Sequence, residues 1–237
     1  MNQRVAILTI RFVNPLQQKE IVLFRGAVVA MLQHNNVLFH NHTDDGFRYA
    51  YPLIQYKRIN GRAAIVCVGE GTVSIGELFT SVGALRATPL QIGNREFSLE
   101  LDTVKAEQIL VQVWESEFVY QLRKWLPLNQ ENHRRFSEIE DLKSRCDFLE
   151  KILVGNILSF AKGLGIHFDK EVKVSILNFE ERGEIRLKMI NFASFDVKFK
   201  SNVSIPNFVG LGKGVSHGFG TCIRLNRDFN KIEKEQD

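Results

Sequence analysis

The sequence predicts an α+β protein of two tandem domains, and three observations support that prediction. Residues 1–95 alternate between period-2 and period-3.6 apolar patterns in the order β-α-β-β-α-β. In residues 96–237 a long helical pattern is followed by a second group of extended segments. A glycine-dense loop, Val209 to Thr221, then precedes the last extended segment. The first order is that of a ferredoxin-like (RRM-like) domain, an antiparallel sheet with helices packed on one face. A chain of 237 residues suffices for two such units, each with a core of its own.

Val5 to Val13 is β-branched and apolar, as in a central strand, and Asn14-Pro15 ends it. Ile21, Phe24, Ala27, Val28 and Met31 recur at helical spacing between Gln18 and Gln33. Leu38 to Gly46 reads as extended segments around an Asp45-Gly46 turn, and Phe47 to Ile59 as a strand. Asn60-Gly61 is the strongest hairpin signal in the chain, with Ala63 to Val68 as the returning strand. A short helix within Glu70–Thr80 and a strand at Leu85–Ile92 complete the first domain. The second opens with extended sequence at Phe97–Leu101 and Ile109–Val113. From Asn129 to Lys162, Phe136, Ile139, Leu142, Leu149, Ile152, Leu153 and Ile157 form one apolar helical face, stopped by Gly163 and Gly165. One kinked helix and two helices in tandem both fit that length. Strands follow at Val172–Phe179, Ile185–Phe192 and Phe195–Phe199, with turns at Glu181–Gly183 and Ala193-Ser194, and Thr221–Leu225 is the last strand.

The composition, 44% hydrophobic and 24% charged, is that of a globular protein, and the formal net charge is +4. The distribution of charge says more. Residues 1–97 carry ten Lys/Arg against six Asp/Glu, residues 98–181 eleven against fifteen, and residues 182–231 nine against three. A basic excess of this kind favours a polyanionic partner such as nucleic acid, though a merely solvated basic surface has the same composition. Three widely spaced cysteines, Cys67, Cys146 and Cys222, imply a reducing compartment, and a cytoplasmic location is expected. No Cys-x-x-Cys or His-Glu-x-x-His spacing supports a zinc site, so neither metal nor cofactor is expected. No apolar run approaches the roughly 18 residues of a membrane span, and no membrane partner is expected.

Two stretches hold candidate chemistry. In the loop, Gly210, Gly212, Gly214, Gly218 and Gly220 allow close backbone approach, and exposed N–H groups beside Lys213 and His217 suit phosphate oxygens. The Walker A and dinucleotide patterns both fail, because Gly214 follows Lys213 and Val215 stands where the dinucleotide pattern needs its third glycine. A glycine loop without ligand remains the alternative. The second stretch holds His40 and His42, one residue apart and on one side of the chain if it is extended. Imidazoles titrating near pH 6.5 supply both a base and an acid. The spacing equally fits surface histidines of a hairpin or a His-x-His metal pair. Arg48, Tyr51, Lys57 and Arg58 interleave basic and aromatic side chains, as RNA contacts or as strand packing. Arg186 and Lys188 alternate on one candidate strand, as do Lys198 and Lys200 on the next.

The paired triplets Gly210-Leu-Gly212 and Gly218-Phe-Gly220 before a final strand resemble the C-terminal glycine signature of the RAMP superfamily of CRISPR-associated proteins. Leu23-Phe-Arg-Gly-Ala27, Leu38-Phe-His-Asn-His42 and Tyr51-Pro-Leu-Ile-Gln-Tyr-Lys57 are similar to the N-terminal domain of the b-type CRISPR RNA-processing endoribonucleases. The resemblance implies tandem ferredoxin-like domains and metal-independent cleavage of precursor CRISPR RNA within its repeats, leaving 2′,3′-cyclic phosphate and 5′-hydroxyl ends. It implies His40 and His42 as catalytic residues, with Tyr51 or Lys57 as substitutes for one of them. The partners it implies are the RNA repeat, other CRISPR effector subunits and a second copy of the chain. A RAMP subunit that holds CRISPR RNA without cutting it has the same loop and folds.

Overall fold

A computed structural model describes residues 4–31, 42–43, 46–47, 51–76, 89–92, 95–187 and 189–225, with the backbone alone at 31, 42–43, 46–47, 90 and 97. The β-branched first segment is strand β1 (Arg4–Pro15), followed by helix α1 (Ile21–Met31), which buries Ile21, Phe24 and Val28. Two short strands, β2 (His42–Thr43) and β3 (Gly46–Phe47), pair with each other. Strands β4 (Ile54–Ile59) and β5 (Arg62–Val68) form the expected hairpin. Asn60 and Gly61 take φ of +49° and +77°, the left-handed pair that a two-residue hairpin turn requires. Helix α2 (Gly71–Ser74), the small hairpin β6 (Leu90–Ile92) and β7 (Arg95–Phe97), and β8 (Leu101–Leu110) follow.

The first sheet has the order β4-β5-β1-β8, all antiparallel. Its fourth strand is therefore β8, and not the expected segment at Leu85–Ile92, whose end pairs with β7 instead. β8 is an edge strand exposed from Leu101 to Ala106, so it carries no buried face and hence no apolar alternation to read. The first sheet consequently reaches Leu110, beyond the residue-95 boundary expected from the sequence.

The second half runs β9 (Val113–Trp125), α3 (Gln130–Ser137), α4 (Leu142–Gly163), β10 (Val174–Leu187), β11 (Ile190–Val203) and β12 (Thr221–Arg224). The sheet order is β10-β11-β9-β12, and both halves are ferredoxin-like. The long helical pattern is two helices. Asn129 accepts from Asn132 N–H at 2.7 Å and Asp141 from Ser144 N–H at 2.8 Å, so each helix has its own N-cap. β10 and β11 are continuous where turns were expected: Glu181–Gly183 contains a bulge, and Ala193-Ser194 lies inside β11. The glycine loop, with a single 3₁₀ turn at Val215–His217, occupies the place of a second helix between β11 and β12. Among the described residues no helix is long and apolar enough to cross a membrane.

Alternation along β5 assigns its residues to two cores. Ala64, Val66 and Val68 join Val5 and Ile7 in a large core with Tyr120, Leu122, Trp125, Leu153, Phe160 and Phe199 of the second half. Ala63, Ile65 and Cys67 face α1 in a smaller core with Phe12, Phe24 and Tyr56. One face of the first sheet is thus packed by its own helix and the other by the second domain. A strand buried on both faces reads as continuous apolar sequence, as β5 does. Gly155, on the exposed side of α4, has no atom within 4 Å of a built Cβ. Gly155→Ala is accordingly expected to stabilise the protein by about 1 kcal/mol in urea denaturation, the helix-propensity difference alone.

Candidate functional site

The glycine loop packs onto β4 of the first sheet. Tyr51 O–H donates to the Gly210 carbonyl at 2.8 Å and accepts from Gln55 Nε2 at 2.8 Å, while Gly210 N–H donates to Gln55 Oε1 at 2.9 Å. Tyr51 also meets Phe160 of α4 edge to face, with ring centroids 5.2 Å apart. Lys57 is buried, and its Nζ donates to the Val215 carbonyl at 3.3 Å. At Gly218 a Cβ would stand 2.5 Å from Ile21 Cδ1 of α1 and 3.3 Å from the Tyr56 carbonyl oxygen. The loop thereby joins α1 and β4 to the second sheet.

These contacts revise the loop's role. The N–H groups of Gly210, Gly218 and Gly220 donate to Gln55 Oε1 and to the carbonyls of Val215 and Lys124, so they are not directed at a phosphate. Those three glycines are buried, and Gly212 and Gly214 are half-buried against Trp125 and Phe219. Gly210 and Gly218 pack closely against Lys57, Ile21 and Tyr56 of the first domain, and Gly212, Gly214 and Gly220 against Trp125, Phe219 and Leu211 of the second, so all five glycines allow close packing within the chain. Lys213 is the exposed side chain of the loop, and His217 is half-buried. Arg186 is exposed near the far end of the β10–β11 hairpin, where its Nη2 lies 3.3 Å from Met189 Sδ. His40, Arg48 and Lys188 lie outside the described residues. Of His42 the backbone is described, paired with Phe47 across the β2–β3 turn.

The Cas6b N-terminal domain family matches residues 3–109, and the Cas6b C-terminal domain family matches residues 112–225. The chain belongs to the Cas6b family. The join between the two Cas6b matches falls between β8 and β9, where the first sheet ends and the second begins. A Cas6b crystal structure aligns with a TM-score of 0.83 and 28% identity over 94% of this chain and 100% of that one. That of a CRISPR RNA processing endoribonuclease, also Cas6b, aligns with a TM-score of 0.71 and 25% identity over the same shares. The uncharacterized protein MJ0978 of Methanocaldococcus jannaschii is 38% identical over 101 residues, which are 43% of this chain and 67% of that protein.

Within this Cas6b-family fold the two remaining sequence candidates, Tyr51 and Lys57, are interdomain residues. Burial raises the pKa of the Tyr51 hydroxyl, and both its donor and acceptor directions are occupied. Desolvation lowers the Lys57 pKa to about 7 from an ordinary 10.5. Between those values the unfolded chain binds more protons than the folded one, so stability from this group rises with pH across that window and is constant below it. Lys57→Met is expected to flatten that rise and to leave the domains docked, since an apolar side chain of similar length removes the buried ammonium. Urea denaturation at about pH 6 and about pH 9 checks this; a rise that persists in the variant would belong to other groups.

Proposed function

We propose that this protein cleaves precursor CRISPR RNA within its repeats, with His40 and His42 moving the protons. One histidine removes the proton from a 2′-hydroxyl, and the 2′-oxygen attacks the adjacent phosphorus in line. The O2′–P bond forms, the P–O5′ bond breaks, and the other histidine protonates the departing 5′-oxygen. The products are a 2′,3′-cyclic phosphate and a 5′-hydroxyl. The two proton transfers are made by imidazoles, so the step calls for no metal-bound hydroxide as base.

The observation that carries this reading is the match of both domains to Cas6b, one solved relative being a CRISPR RNA processing endoribonuclease. The His-x-His pair, which runs into β2, adds the acid and base that the reaction needs. Lys213, exposed on the loop that joins the domains, and Arg186 are assigned to RNA phosphates. The test is incubation of the purified protein with its own repeat RNA in EDTA, beside the same RNA carrying a 2′-deoxy sugar at the cut site. Cleavage of the first alone, with a cyclic phosphate end, is expected. RNA that binds and stays whole makes the protein a RAMP subunit that holds CRISPR RNA without cutting.

A further inference from the structure

The most basic section of the chain, residues 182–231, holds three carboxylates, Glu184, Asp196 and Asp228. Asp196 is neutralised by Arg182 at 2.8 Å, and Asp228 lies outside the described residues. Glu184 is exposed on β10, and among the described residues no cation pairs with it. Its Oε2 accepts from Asn191 Nδ2 of β11 at 3.0 Å. Arg186 is directly opposite Asn191 and shares this face of the hairpin, but its Nη2 turns to Met189 Sδ at 3.3 Å. An unneutralised carboxylate here repels phosphates, so any contact it makes with RNA is with a hydrogen-bond donor of a base.

Glu184 and Asn191 line one wall of a cleft of about 160 Å³, and Gln130 and His133 of α3 line the other. Gln130 and His133 are three residues apart, so they share a face of the helix, and both are exposed. The N-terminus of α3 favours the ionised form of the Glu184 carboxylate beside it. An ionised carboxylate only accepts hydrogen bonds, so Asn191 must turn its amide nitrogen towards Glu184 and keep Oδ1 for a ligand. Glu184 Oε1 likewise accepts from no group among the described residues. The wall therefore presents two neighbouring acceptors. On a Watson–Crick edge, guanine alone sets two donors side by side, N1–H and the N2 amino group. Adenine and cytosine place an acceptor next to the amino group, and uracil has one N–H between two carbonyls. That edge is occupied in a duplex, so the base such a wall reads is an unpaired one.

We propose that the cleft between α3 and the β10–β11 hairpin takes one unpaired guanine of the RNA, with Glu184 Oε1 and Asn191 Oδ1 accepting from its N1–H and N2 amino groups. The inference rests on RNA being the substrate, as proposed above, but does not depend on the RNA being cut. Repeat RNA with the 2′-deoxy sugar at the cut site is made with each guanine replaced in turn by inosine, which lacks the N2 amino group, and affinity is read by fluorescence anisotropy. At one position inosine is expected to weaken binding to the parent about tenfold. In Glu184→Gln and in Asn191→Ala the penalty at that position is expected to fall to about twofold or less. Glu184→Gln also removes a negative charge, so its affinity for an oligouridine of the same length is expected to equal or exceed that of the parent, whereas a folding defect would lower it. Glu138→Gln removes an exposed carboxylate from the other end of α3 and, as the control, is expected to keep the penalty. A parent without a guanine position of this kind, or a penalty that persists in Glu184→Gln and Asn191→Ala, overturns the guanine cleft even where the parent cuts RNA. The penalty in a parent that binds without cutting supports the cleft and removes the nuclease reading alone. A parent without affinity for repeat RNA removes both.

Discussion

Gly220→Ala is expected to destabilise the protein by about 4 kcal/mol or more, a size reserved for changes that the surroundings cannot absorb. A Cβ at this position would stand 1.9 Å from the Leu211 carbonyl oxygen and 3.0 Å from its carbon, at a φ of +60°. No side chain can yield there, because two backbone segments meet. The Leu211 N–H donates to the Gly220 carbonyl at 2.8 Å, and Gly210 bridges to Thr221 beside it. Separating them pulls Gly210 from Gln55 and Val215 from Lys57, so strain at one residue reaches the domain interface. A fall of about 10 °C in Tm is the expected readout for a chain of this size. Gly183→Ala is the control: its φ is +82° with no atom within 4 Å of a Cβ, so only about 1 kcal/mol of backbone preference is lost. Equal melting of the two variants would mean that the close approach at Gly220 is not what holds the loop.

His40→Ala and His42→Ala are each expected to slow single-turnover cleavage of repeat RNA about 10²- to 10⁴-fold while leaving affinity for the uncut RNA within about twofold. The two effects are expected to fall short of additivity, because base and acid act in one transition state. The pH dependence of the parent rate should be bell-shaped, one limb requiring a neutral imidazole and the other a charged one. Each single variant should lose one limb. Cleavage that survives both substitutions would remove the histidines from the chemistry and leave the family function standing. A parallel loss of RNA affinity would instead make them binding residues.

Local chemistry was legible wherever a few adjacent residues suffice to dictate the backbone. Asn60-Gly61 specifies a hairpin turn by tolerance of positive φ, and the turn is there. Ile21, Phe24 and Val28 lie on one face of α1 because helical spacing places them there. Gly163 ends α4 where the pattern stops. The break between α3 and α4 was harder to see, since Asn129 and Asp141 are both good N-caps within one apolar periodicity. β8 escaped for a different reason: its pairing with β1 joins residues about a hundred positions apart, and an exposed edge strand has no buried face to betray it.

The candidate site divides along the same line. His40 and His42 stand out by residue type and spacing, which surface histidines fit as well, and the catalytic role comes from the resemblance of their segment to the b-type endoribonucleases. The need for close approach in the glycine loop was legible. What the loop approaches was not. Lys57 and Tyr51 look like basic and aromatic RNA contacts in a strand, and folding turns them inward against Val215 and Gly210. By itself the sequence determined the fold class, most of the elements and the residue types available for chemistry, because those follow from dihedral preference and apolar period. Only the tertiary structure decided which side chains are buried at the domain junction and which remain exposed, because burial depends on the packing of segments distant in the chain.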